Sequence, residues 1–176
     1  MPIRAFLLAT SLSFGLVWAL PASAAKEDKA ASLAQIKAPA GVYKVALAPG
    51  VSLDDAVESM KLRANIRNIK LVAELPLSKQ VEAMTGEHQR RMAIYQFCDA
   101  LTGKELVDHR MEMVVFMPCR VSLIEDEKGQ GWLIMMDVDV NYLSKSERFS
   151  PELSDKIKEV RASLIDIMNA GAKGEI

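Results

Sequence analysis

Two extended runs flanking a polar turn constrain this chain more than any other feature. Met113 to Ile124 is rich in apolar and branched residues and bends at Pro118, and Trp132 to Val140 follows after Asp126-Glu127-Lys128-Gly129-Gln130. A five-residue connection containing glycine closes a β-hairpin, so the rest of the fold must be built on an antiparallel pair. In the second run Trp132, Ile134, Met136, Val138 and Val140 share one face, and Leu133, Met135, Asp137 and Asp139 the other. The wholly apolar face is the expected core side.

Upstream, Val42 to Leu47 reads as a strand stopped by Pro49-Gly50. Ser52 is placed to cap a helix with Asp54 and Asp55 in its first turn and Leu53, Val57, Met60 and Ala64 on one face. A second strand is expected within Asn68 to Leu77, broken at Pro76, and a short helix within Ser78 to Met84, closed by Gly86. Arg91 to Cys98 is apolar on both faces, as an interior strand would be. Asp99 caps a short helix carrying Leu101 and Leu106 and interrupted by Gly103. Ser150 and Pro151 open a final helix that Asn169-Ala170-Gly171 should end, with Leu153, Ile157, Val160, Leu164 and Ile167 as its buried stripe. The expected fold is α+β: a single compact domain over residues 42–171, a predominantly antiparallel or mixed sheet with helices packed on one face, beginning with a βαβ-like unit and ending with an amphipathic helix.

The first residues carry an address rather than a fold. Arg4, the apolar run Ala5 to Leu20 and the small residues Ala22-Ser23-Ala24 have the three-part form of a signal peptide, so residues 1–24 are expected to be cleaved after Ala24 and the product to be periplasmic. The run is shorter than the ~20 residues a membrane span needs, and no stable span is expected after cleavage. Residues 25–41, rich in alanine and lysine, read as a flexible leader. The 22 basic and 23 acidic residues nearly cancel and form no block of like charge, which argues against nucleic acid as a partner.

Chemistry is sparse. Cys98 and Cys119 are an even pair in an oxidising compartment and so candidates for a disulfide, although buried free thiols fit their apolar neighbours equally well. There is no Cys-x-x-Cys. Met111, Met113, Met117 and Cys119 fall at odd positions and would share one side of an extended strand, with His109 just upstream; thioether and thiolate together suit copper(I), while core packing explains the same alternation. Asp137, Asp139 and Asn141 imitate the start of a calcium loop, but Tyr142 stands where glycine is required and Arg148 where the bidentate glutamate belongs. Those carboxylates are expected at a solvated sheet edge or face. Glu87-His88-Gln89-Arg90-Arg91 reads as a solvated polar turn. No Gly-x-Ser-x-Gly and no phosphate-cradling glycine loop is present, so no catalytic residue is assigned.

Ala93-Ile94-Tyr95-Gln96-Phe97-Cys98-Asp99-Ala100 with Leu106, then Phe116-Met117-Pro118-Cys119-Arg120-Val121, then the hairpin from Glu125 through Gly131-Trp132, resemble the domain of unknown function 302 family. The resemblance covers Val81 to Val140, and more loosely from Ser52. It implies a compact α+β domain and a homodimer, and supplies no catalytic residues. The expected function is that of a non-enzymatic binding or accessory module in the periplasm, its ligand against the sheet near Cys98, Met117 and Cys119. The alternative is a thiol or soft-metal protein handling copper, haem or reactive sulfur through the same cysteines and nearby methionines.

Overall fold

The computed structural model describes residues 40–175; the expected signal peptide and nearly all of the expected leader lie outside the described residues. The elements are β1 (Ala40–Ala46), α1 (Leu53–Ile66), β2 (Lys70–Leu75), α2 (Leu77–Thr85), β3 (Met92–Cys98), α3 (Ala100–His109), a 3-10 helix (Met111–Phe116), β4 (Cys119–Glu125), β5 (Gly131–Val138), α4 (Val140–Ser146) and α5 (Pro151–Lys173). The strands form one sheet in the order β1-β5-β4-β3-β2, every neighbouring pair antiparallel. Four antiparallel steps leave β1 and β2 running the same way at opposite edges. The βαβ-like opening is therefore a crossover that spans the whole sheet, with α1 carrying the chain from one edge to the other. No helix among the described residues is long and apolar enough to cross a membrane.

One face of the sheet makes the core. Tyr95 pairs with Val121, Val121 with Met135, and Leu123 with Leu133, and these side chains, with Ala93 and Phe97, are buried. Against them lie Ala56, Val57, Met60 and Ala64 of α1 and Leu164, Ile167 and Met168 of α5. A period of 3.6 in the helices meets a period of 2 in the strands, and both stripes leave water together.

Local signals set the helix ends. Ser52 and Asp55 form a reciprocal capping box at the start of α1. Ser150 caps α5, where its hydroxyl accepts from the Leu153 amide. Helix α5 does not end at Gly171. It runs to Lys173 and stops at Gly174, which takes the left-handed conformation (φ 64°). Gly171 serves packing instead: a Cβ there would lie 2.6 Å from Met60 Cγ and 2.9 Å from the Ala56 carbonyl oxygen, so its absence lets α5 cross α1 closely. Arg63 and Arg67 of α1 both bond to Asp166 of α5, at 2.9 and 2.7 Å, and fix the same crossing.

Three expectations about the hairpin are corrected. In β5 the core side chains are Leu133 and Met135, while Met136 is 46% exposed and Trp132, Ile134 and Val138 are half-buried. The face that carries Asp137 can pack inward because Arg161 of α5 meets that carboxylate with two bonds of 2.6 Å. On the opposite face Lys44 sits 3.8 Å over the Trp132 ring, and the indole N–H donates to Asp126. The first strand is also shorter than expected. Residues 111–116 wind into a 3-10 helix and β4 begins only at Cys119, after a cis Met117-Pro118 peptide. Val140 belongs to α4, whose cap is Asp139, not to β5.

Candidate functional site

Strand β3 ends, β4 begins and β5 ends at the same end of the sheet, because Phe97 pairs with Cys119 and Val121 with Met135. Helix α3, the 3-10 helix, α4 and the first half of α5 gather over that end, and between them lies a cavity of about 120 Å³. Phe97 and Met135 come from the sheet, Leu106 and Met113 from the covering segments, and Val160 and Leu164 from α5. The volume is a little below the ~150 Å³ of an apolar cavity that takes benzene.

Helix α3 is pinned where it leaves β3. The Asp99 carboxylate accepts from the Leu101 and Thr102 amides at 3.1 and 3.2 Å and from the Thr102 hydroxyl at 3.0 Å. One turn on, Gly103 is buried, and a Cβ at that position would stand 2.7 Å from Met117 Sδ and 4.0 Å from Cys98 Sγ. The Met117 thioether thus rests directly on the α3 backbone, with the Cys98 thiol beside the same point. At the α5 wall, Asp137 and Arg161 neutralise each other, and the hydrogen bonds of this pair raise the guanidinium's pKa further.

Both cysteines are free thiols. The pleat sends Cys119 to the side of Phe97 and Cys98 to the other side of the strand pair, yet both border the cavity. Burial, then the charge of Asp99, raises the pKa of Cys98. Burial pushes the Cys119 thiol up to about 11, with the neighbouring Cys98 adding to the rise and Arg120 opposing it. At that value Cys119 is ionised to about one part in ten thousand at pH 7, too little for a nucleophile.

The structure brings Met113, Met117 and Cys119 to the cavity wall and leaves Met111 outside, 72% exposed. A 3-10 helix has three residues per turn, so positions two apart diverge where a strand would align them. His109 lies elsewhere: its Nε2 is 2.9 Å from the Glu147 carbonyl oxygen and its ring meets Phe149 edge-on. Asp139 is exposed, as expected, and its carboxylate also accepts from the Tyr142 amide as the cap of α4. Among the described residues no three His, Cys, Asp or Glu side chains gather as a metal site. Sequence reasoning missed the Asp137–Arg161 pair and the packing role of Gly103. A glycine inside a helical pattern is the one signal that points to the latter.

A five-stranded antiparallel sheet with two long helices on one face and a cavity at one end defines a two-layer α+β domain. The family model described as Domain of unknown function DUF302 matches residues 43–171, and the chain belongs to that family. The fold is similar to the crystal structure of an uncharacterized conserved protein DUF302 from Bacillus stearothermophilus, with a TM-score of 0.58 and 12% identity over 73% of this chain and 96% of that one. No curated protein matches the chain.

Proposed function

We propose that this protein is a non-enzymatic binding module of the periplasm, exported by residues 1–24, whose ligand occupies the cavity at the sheet end. The observation that carries the reading is the state of the ionisable groups around it. Asp99 is committed to the α3 cap, Asp137 and Arg161 to each other, and the thiols are held protonated. What remains for a ligand is soft, apolar wall together with the exposed guanidinium of Arg120, which suits retention rather than proton or group transfer. A volume near 120 Å³ takes a benzene-sized group or an ion and has no room for a haem macrocycle.

The test is native mass spectrometry of the protein recovered from the periplasm without chelators or reductants, beside a Gly103→Val variant. The added side chain drives the Met117 thioether into the cavity. Retained mass in the wild type that the folded variant lacks supports the reading; the same excess over the polypeptide mass in both, or none in either, counts against it.

A further inference from the structure

Six sulfur-bearing side chains border the cavity: Cys98, Met113, Met117, Cys119, Met135 and Met136. They are half of the ten methionines and two cysteines in the chain. Methionine commonly fills irregular gaps in a core, but here the thioethers surround space that remains open. Carboxylate oxygens on the same wall are not free, because Asp99 and Asp137 are already engaged. Sulfur without free carboxylate selects a soft ion over a hard or borderline one.

Charge narrows the choice. An apolar cavity holds an ion at low cost only when the complex is close to neutral. The fixed charges on the lining cancel, Asp137 against Arg161 and Asp99 against the exposed Arg120, so a divalent ion on one thiolate leaves net positive charge, whereas a monovalent ion on one thiolate is neutral and thioether ligands add nothing. We propose that the cavity binds copper(I), with Cys119 as the thiolate ligand and the thioethers of Met117 and Met113 completing a three-sulfur set. The proposal deepens the binding reading above and rests on it. Cys119 is held by its strand register against Phe97, while Met117 precedes the strand and lies against Gly103. The strand register thus positions one ligand and the close contact with Gly103 the other. On binding, the Cys119 S–H bond breaks, an S–Cu bond forms and one proton leaves to solvent. Copper stays in the +1 state, so no oxidant or reductant takes part.

The experiment is an anaerobic titration of the purified, reduced protein with copper(I) supplied as its acetonitrile complex, in competition with bathocuproine disulfonate, and with zinc(II) as the borderline control. One copper per chain and one proton released per copper are expected, with sulfur alone in the X-ray absorption shell. Met117→Leu, which keeps side-chain volume, should weaken binding about tenfold, and Cys119→Ala about a hundredfold or more. Met84→Leu, at a methionine 86% exposed, should leave it unchanged. Circular dichroism confirms that each variant is folded. Absence of competitive copper binding, or equal affinity in wild type and Met117→Leu, overturns the proposal. If copper fails while an organic mass is retained by the wild type and expelled by Gly103→Val, the ion is wrong and the binding site stands. If both experiments are blank, both readings fall.

Discussion

The carboxylate of Asp137 and the guanidinium of Arg161 meet through two bonds of 2.6 Å, joining the end of β5 to the middle of α5 beside the cavity. The two ends of this pair differ in access to water: the Arg161 side chain is 41% exposed and that of Asp137 only 20%. Removing the carboxylate leaves a cation that can turn outward. Removing the cation leaves a carboxylate against the wall. Asp137→Asn should therefore cost about 1 kcal/mol, in the range of exposed ion pairs, and Arg161→Leu about 2 kcal/mol, because the partner stays desolvated. Urea unfolding of both variants checks this; a larger loss for Asp137→Asn would reverse the assignment.

Gly171→Ala should destabilise the fold although alanine is the better helix former. Propensity favours alanine by about 1 kcal/mol, but the new Cβ meets Met60 Cγ at 2.6 Å and the Ala56 backbone oxygen at 2.9 Å. Overpacking of this kind costs about 1–3 kcal/mol, and the backbone contact places the site in the upper part of that range. A thermal midpoint below that of the wild type is the expected result, and an equal or higher midpoint contradicts the close crossing.

The Cys119 thiol makes stability fall at alkaline pH. Its pKa is raised by burial to about 11 from an ordinary value of 9.0, so between those values the unfolded chain loses a proton that the folded chain keeps. Stability is intact below the ordinary value and declines as pH rises through the raised one, by about 2–3 kcal/mol in all. In Cys119→Ala this part of the decline should vanish, which unfolding curves across that alkaline range would read directly.

Asp166 produces the opposite dependence at the acid end. Burial works to raise its pKa, but hydrogen bonds from Arg67 and Arg63 prevail and the net shift is downward. Its contribution is present above the ordinary carboxylate range and is lost as pH falls through the lowered value. Asp166→Asn should cost about 1 kcal/mol at neutral pH and flatten the loss of stability below about pH 4. An unchanged acid limb would show that the α1–α5 crossing owes nothing to this ion pair.

The strands and capped helices are legible in the sequence because their signals are local. Ser52 and Ser150 cap as their sequence context requires, and the stripe from Leu153 to Ile167 faces the core. The alternation in β5 points to the wrong face because an aspartate on a core face is tolerable only if a partner arrives from elsewhere, and Arg161 is 24 residues away. The methionines mislead for a related reason. Apolar residues in a short run satisfy a strand or a 3-10 turn equally well, and only the tertiary position of the 3-10 helix separates Met111 from Met113. The cavity itself has no local signal, since its walls come from strands, helices and a turn that meet only in the folded chain.

The crossover of α1 has a kinetic meaning. Among the described residues strand β1 pairs with β5 alone, Tyr43 opposite Met135, so the earliest of the five strands to be synthesised waits for the last before it can join the sheet. Closure of that kind is non-local and therefore slow. Strands β2 to β5 are each paired with the next in sequence and can assemble in order, so the arrival of β1 is the step that completes the sheet.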